Sequence, residues 1–255
     1  MLIFNCSKAA ALHLSPDYNK KGNGGIFEPS DDAYGTVAGR SKKHGGNMMQ
    51  WVVHAVKIGR STCLIAMEYE TRWVHVIHRV KKGDVEDFVN RLNTRLVNAI
   101  DWISADYSLF SEKELEAGCD KYFDKHNNIG FIQQTDASVL AHITQVKQQY
   151  NHAYEDIGGL PDNESEATSF DLHLNEWWRQ IKSDGYNANN TVKCRMLAYW
   201  MKNIMNKKDN KIAQAVSRIS STQIGGVINA FEDYLSKEIT DNVIDITSRL
   251  NNKLY

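Results

Sequence analysis

Apolar and polar positions alternate with a period of two along one stretch of this chain, and that stretch organises the rest. The runs WVVHAVKI (Trp51 to Ile58), TCLIAMEY (Thr62 to Tyr69) and RWVHVIHR (Arg72 to Arg79) are rich in β-branched and aromatic residues. The breaks between them leave room only for hairpin turns, so the pattern predicts an antiparallel meander. With two-residue turns at Gly59-Arg60 and Glu70-Thr71, one face carries Val52, His54, Val56, Ile58, Cys63, Ile65, Met67, Tyr69, Val74, Val76 and His78. The other carries Trp51, Lys57, Glu68, Trp73, His75 and Arg79. That register sets Cys63 opposite both Val56 and His78.

Elsewhere the spacing turns helical. Behind a capping Asp84, the residues Val85, Phe88, Val89, Leu92, Leu96, Val97, Ile100 and Ile103 recur three and four apart, the stripe of a helix laid on a sheet. Ser111 and Glu114 form a capping box for a helix to about His126. A strand follows at Ile129 to Gln134. Thr135 or Asp136 then caps a helix with the stripe Val139, Ile143, Val146, Tyr150, Ala153 and Ile157, stopped by Gly158-Gly159 and Pro161. Met1 to Asn5 reads as a short strand, and Ser7 as the cap of a helix over Lys8 to Leu14. Asp162 to Thr168 reads as a polar, acidic linker before a helix at Ser169 to Lys182. Beyond Thr191 the chain reads as helices at Val192 to Asn206, Asn210 to Ile219 and Thr222 to Lys237, with a further short helix in the tail. Between Ser15 and Gln50 the pattern dissolves into glycines, which predicts a long flexible loop. The expected fold class is α+β: an antiparallel meander with packed helices over residues 1–182, including the loop 15–50, and a helical C-terminal region over residues 191–255.

Composition narrows the classes. At 255 residues with 42% hydrophobic and 24% charged, the chain can bury a sizeable core. A net charge of −1 means that any nucleic-acid binding rests on a local patch. Cys6, Cys63, Cys119 and Cys194 form no C-x-x-C pair, which argues against a zinc ribbon or a disulfide scaffold and for a reducing compartment. The start MLIFNCSKAAALHL is broken by Asn5, Ser7, Lys8 and His13 and makes a poor signal peptide. No apolar run reaches the ~20 residues of a membrane span. A cytoplasmic protein without a membrane partner is expected.

Four features carry a family resemblance. They are Phe4-Asn5-Cys6-Ser7-Lys8; the Trp-led strand, turn and strand from Trp51 to Met67; Asp136-Ala137-Ser138-Val139 opening a helix; and Glu155-Asp156-Ile157-Gly158-Gly159-Leu160 at its end. Over about the first 180 residues, the chain resembles a family of uncharacterised bacterial proteins, grouped as a domain of unknown function and often carried by mobile elements. The family's first turn usually has two adjacent basic residues, whereas here it is Gly59-Arg60-Ser61. The resemblance implies an α+β domain of bacterial or phage origin and no particular reaction.

Candidate chemistry falls in several places. Cys63 beside His78, with His54 one diagonal away, offers imidazole and thiolate ligands suited to a metal such as zinc; the plainer reading is of core histidines satisfied by backbone or water. Trp51 and Trp73 flank Glu68, which makes either a stacking platform for a base or a peptide, or the covered side of a sheet. Asp136 and Ser138 read as a capping pair. With His142 they lack the G-x-S-x-G elbow of a serine nucleophile. The free N–H groups of that helix start could also hold an anion, in competition with Asp136. Gly35 to Ser41 is one residue short of a phosphate loop and lacks its lysine and preceding strand. Arg40, Lys42, Lys43 and His44 remain as a basic loop for phosphate or an acidic partner. Near the C-terminus, helices on either side of Ser220-Ser221, with Lys202, Lys207, Lys208, Lys211 and Arg218 nearby and Thr222 and Gln223 opening the second, have the layout of a helix-turn-helix. The other reading of Ile219, Ile224, Val227, Ile228, Phe231, Tyr234 and Leu235 is a packing face, within the monomer or in a homodimer.

Together these observations point to a non-enzymatic binding or regulatory protein of bacterial, phage or plasmid origin. It would meet a protein or nucleic-acid partner through Arg40, Lys42, Lys43, Lys207, Lys208, Arg218, Thr222 and Gln223, without a cofactor. The alternatives are a metal-dependent enzyme using zinc on His54, Cys63 and His78, and a structural homo-oligomer joined by its C-terminal helices.

Overall fold

The strands β1 (Leu2–Cys6), β2 (Phe27–Glu28), β3 (Met49–Ile58), β4 (Ser61–Glu68), β5 (Val74–His78) and β6 (Ile129–Ile132) form one sheet in the order β2-β6-β1-β3-β4-β5. The computed structural model describes residues 1–15, 17, 27–28, 35–177, 179–181 and 191–223. The meander has the expected register: Val56 faces Cys63, Cys63 faces His78, and Trp51 faces Glu68. The remaining pairings are parallel, β1 with β3 and β6, and β2 with β6, so the sheet is mixed.

The second turn is wider than the expected two residues. Glu68 N–H donates to Trp73 O at 2.7 Å and Arg72 N–H to Glu68 O at 3.0 Å, and Arg72 takes a left-handed φ of 64°. The Glu68 carboxylate caps this loop from below: its Oε2 accepts from Glu70 N, Thr71 N and Thr71 Oγ1. The wider loop leaves the strand register unchanged.

Helices cover both faces. On one lie α1 (Lys8–Leu14), capped by Ser7, and α3 (Val85–Tyr107), capped by Asp84. With them Leu2, Phe4, Trp51, Val53, Leu64, Trp73, Phe88, Leu92 and Leu96 build the larger apolar cluster. On the other face lies α5 (Ala137–Ile157), capped by Asp136 and closed by Gly158 in the left-handed region. Its Val139, Ile143, Val146 and Tyr150 pack on Val52, Val56, Ile65, Met67, Val74 and Val76. α4 (Glu112–Lys125) carries the expected capping box of Ser111 and Glu114.

Three expectations are corrected. The segment 15–50 holds α2 (Val37–His44) as well as β2; Thr36 caps α2, and Arg40 anchors it to the sheet through Gln50 and Asn5. A helix whose apolar residues are Val37 and Ala38 alone, held by a buried arginine, leaves no apolar period to read. The expected linker at Asp162 to Thr168 is the start of α6 (Glu164–Leu174): Asn163 caps it and exchanges bonds with Glu166. Its acidic residues serve the first turn, where the helix dipole favours them. The third correction is α8 (Asp209–Gln223), which runs straight through Ser220-Ser221, so the expected helix-turn-helix break does not occur there. The proposed second helix beyond Gln223 lies outside the described residues. α7 (Val192–Tyr199) continues as a π-helical turn, Trp200–Ile204. Val192, Met196, Leu197, Trp200, Ile212, Val216 and Ile219 join the same apolar cluster as α3, so Ile219 packs within the monomer, and the rest of the expected packing face, from Ile224 on, lies outside the described residues. Among the described residues no helix is long and apolar enough to cross a membrane.

The β3–β4 turn seats the far end of α5. Gly59 has φ +55, and a Cβ there would stand 2.5 Å from the Tyr154 ring. Gly59→Ala is therefore expected to destabilise the fold by about 1–2 kcal/mol, by combining a strained φ with overpacking. Urea titration measures it, and a midpoint unchanged from the parent would contradict this seating.

Candidate functional site

The stacking platform does not exist as a surface. Trp51 and Trp73 are both 0% exposed, because α1 and α3 cover that side of the meander. They instead flank a buried relay. Trp73 Nε1–H donates to His75 Nε2 at 2.9 Å, which places the His75 proton on Nδ1, where it bonds Asp171 Oδ2 at 2.7 Å. Asp171 also accepts from Val76 N at 3.0 Å and Arg95 Nη1 at 3.3 Å, and Arg95 Nε reaches Glu164 Oε2 at 2.7 Å. Every member except Glu164 is buried, so this chain joins β5, α3 and α6 and is closed to substrate.

The metal set is also taken apart. Cys63 does face His78, but His54 Nδ1 bonds Ser7 Oγ at 2.8 Å and His78 Nε2 bonds Pro161 O at 2.9 Å. Burial pushes the Cys63 thiol up to about 11, so it packs as a neutral, apolar side chain. Among the described residues no group of three or more His, Cys, Asp or Glu side chains is placed to hold a metal.

Of the basic residues, Arg40 is corrected: it is 6% exposed and committed to the fold. Its guanidinium donates to Gln50 Oε1 at 3.0 Å, Gly35 O at 2.8 Å and Gln134 Oε1 at 2.7 Å, as well as to Asn5 Oδ1. Lys42 and Lys43 are exposed at the end of α2. Lys207, Lys208 and Arg218 converge with Lys211 on a groove of about 390 Å³. Leu109, Phe110, Met201 and Ala215 line the same groove, together with Glu114. Glu114 is paired with Lys207 at 2.6 Å, and that bond helps to hold its carboxyl down at about 2. Arg218 Nη1 donates to Ser108 O at 3.2 Å, which ties α8 to the α3–α4 connection. Thr222 and Gln223 fall in the last turn of α8, and their side chains lie outside the described residues.

Another cluster escaped the sequence reading. The loop between β4 and β5 is gripped by two buried arginines: Arg179 Nη1 donates to Arg72 O at 3.1 Å and Arg195 Nη1 to Thr71 O at 3.4 Å. Arg195 Nη2 also reaches Arg179 O at 2.5 Å. The Arg72 side chain turns to the start of α5, where Nη2 donates to Ser138 Oγ at 3.0 Å and the guanidinium lies 5.1 Å from the centre of the Tyr69 ring. Burial, and then Arg195, lowers Arg179 to about 10; burial, and then Arg72, lowers Arg195 to about 10. His142, one turn beyond Ser138, is lowered to about 4 by burial and then by Arg72, Arg179 and Arg195. Beside this loop lies a cavity of about 520 Å³, lined by Glu70, Thr71, Arg195, Tyr199, Lys202 and Asn203 among others. The start of α5, with Asp136, Ser138 and His142, was legible in the sequence as a possible anion site; the three arginines were not, since Arg179 and Arg195 lie more than a hundred residues beyond Arg72.

With this geometry in place, a family model described as Domain of unknown function (DUF6933) matches residues 25–191. The chain belongs to this family. No curated protein and no solved structure matches it. The family's span contains the sheet from β2 onward, the β4–β5 loop, the start of α5 and Arg179. Arg195, and the α7–α8 region that supplies the groove's four basic residues, lie beyond it.

Proposed function

We propose that this protein is a nucleic-acid-binding regulator that grips a single strand in the groove along α8. The observation that carries the reading is the lining of that groove, where Lys207, Lys208, Lys211 and Arg218 stand beside Leu109 and Phe110. In a chain of net charge −1 such a concentration is local; Glu114 offsets Lys207, and phosphates are the partner that Lys208, Lys211 and Arg218 complement. Phe110 is half-buried and supplies a ring on which a base can stack. A cleft of about 390 Å³ suits one strand and is narrow for a duplex. The family resemblance supports a bacterial or mobile-element setting for this regulator, and the proposal places it in the cytoplasm, where it acts by contact and needs no cofactor.

Fluorescence anisotropy with a labelled oligothymidylate or oligouridylate tests this. With about three phosphate contacts, the logarithm of the affinity should fall with the logarithm of salt with a slope of about −2. Lys208→Ala, Lys211→Ala and Arg218→Ala combined should weaken binding about a hundredfold at low salt. No anisotropy change at about 25 mM salt would end the nucleic-acid reading and leave the groove to an acidic protein.

A further inference from the structure

Arg72 carries hydrogen-bond donors that the fold does not use. The residue is 6% exposed, and only Nη2 has a partner, Ser138 Oγ. Its Nε and Nη1 are buried without one. A guanidinium cannot shed its charge to escape this, and unpaired buried donors call for an acceptor. Among the described residues no ion pair reaches Arg72 or Arg179.

One oxygen of each neighbouring carboxylate is engaged elsewhere. Asp136 Oδ1 accepts from Ser138 N at 3.0 Å, Val139 N at 3.1 Å and Ser138 Oγ at 2.6 Å, which is its work as the cap of α5. Glu68 Oε2 is filled by Glu70 and Thr71. Around Arg72 stand the Arg179 and Arg195 guanidiniums that hold its loop, and the acidic groups Glu68 and Asp136, which favour its charged form. His142 lies on the same face of α5 as Ser138, and its Nδ1 is also buried without a partner. Ser138 is exposed and His142 partly so, so the edge of the site meets solvent, while Arg72 Nε and Nη1 and His142 Nδ1 themselves are covered.

We propose that Arg72, the first turn of α5 and His142 form a binding site for a tetrahedral oxyanion, a phosphate group. Arg72 supplies the direct contacts through Nε and Nη1, and His142 adds one from the next turn. The free donors therefore arrive from two places, Arg72 on a loop and His142 on a helix, since the first N–H groups of α5 are held by Asp136. That spread suits a tetrahedral anion better than a planar carboxylate. Arg179 and Arg195 are positioning residues: they hold the Arg72 and Thr71 carbonyls, fix the left-handed loop, and add charge from behind. The site is separate from the α8 groove and does not rest on that reading.

The phosphate could be free or the end of a strand, and the test separates the two. The full chain is titrated with inorganic phosphate at constant ionic strength, with chloride as control, and followed by calorimetry and by NMR of arginine Nε–H and histidine ring nitrogens. Saturable binding is expected, with the Arg72 Nε–H resonance shifting and the His142 pKa rising above its low starting value as the anion offsets Arg72, Arg179 and Arg195, the charges that face it, and Asp136 on its own helix. Arg72→Gln should weaken phosphate about a hundredfold, and His142→Phe about tenfold. A 5′-phosphorylated oligonucleotide that outcompetes its 5′-hydroxyl twin at this site would identify the strand end as the source, and equal competition would identify free phosphate. The NMR arm uses the unaltered protein, so it stands even if Arg72→Gln fails to fold. The proposal is overturned if about 50 mM phosphate moves neither resonance, or if folded Arg72→Gln binds phosphate as the parent does.

Discussion

Replacing Asp171 with alanine is expected to cost about 3–5 kcal/mol of folding stability, the largest effect of any single substitution considered for this fold. Asp171 and Arg95 are 1% and 0% exposed and meet at 3.3 Å. Removing the carboxylate leaves the buried Arg95 guanidinium with Glu164 as its remaining ion-pair partner, leaves the Val76 N–H without its acceptor at 3.0 Å, and takes from His75 Nδ1 its partner at 2.7 Å. Each loss is a desolvation cost with nothing returned by water. Asp171→Asn keeps the shape and one acceptor oxygen, so it should lie between the parent and the alanine variant. Urea denaturation of all three gives the order, and an alanine variant within about 1 kcal/mol of the parent would show that the relay does not bind β5, α3 and α6 together.

A second large effect is a dependence on pH set by Glu68. Burial, and then the charge of Glu70, push its carboxyl up to about 7, against 4.5 when it is free. Between those values the folded state holds a proton that the unfolded chain releases. The stabilising share of this group is therefore complete below about pH 4.5 and is lost as pH rises through about 7, a fall of about 3 kcal/mol at 1.36 kcal/mol per unit. Glu68→Gln removes the titration and keeps an oxygen for Thr71, so its stability should overtake the parent's at pH 8. Denaturation midpoints measured from pH 5 to 8 give the slope. A parent curve no steeper than that of Glu68→Gln would contradict a neutral, buried Glu68.

The same residues show how far the chain could be read unaided. The meander and its register followed from alternation and turn length, because hairpins are local and a slip of one residue would turn every apolar side chain outward. The caps Ser7, Asp84, Ser111 and Asp136 were legible for the same reason, since each acts within its own first turn. The parallel partners of β1 were not, because Leu2 meets Met49 and Ile129 across distances that no local pattern encodes. The site residues divide likewise. The groove lysines could be found as a charge cluster in sequence. The Arg72 cluster could not, since Arg72, Ser138, Arg179 and Arg195 meet only when the loop, α5 and α7 are assembled. Trp51 and Trp73 were assigned to the correct face, but platform and covered side both stayed open, because alternation identifies a face without showing what covers it.

The proposed grip on a single strand has a direct physical readout, the residues that nucleic acid touches. Photocrosslinking of the full protein to a single strand carrying 5-bromouridine, followed by mass spectrometry, reads that contact directly. The prediction is that crosslinks concentrate at residues lining the groove, Phe110 and the segment from Asn206 to Arg218. Crosslinks confined to other surfaces, or none under conditions in which a known single-strand binder reacts, would contradict it.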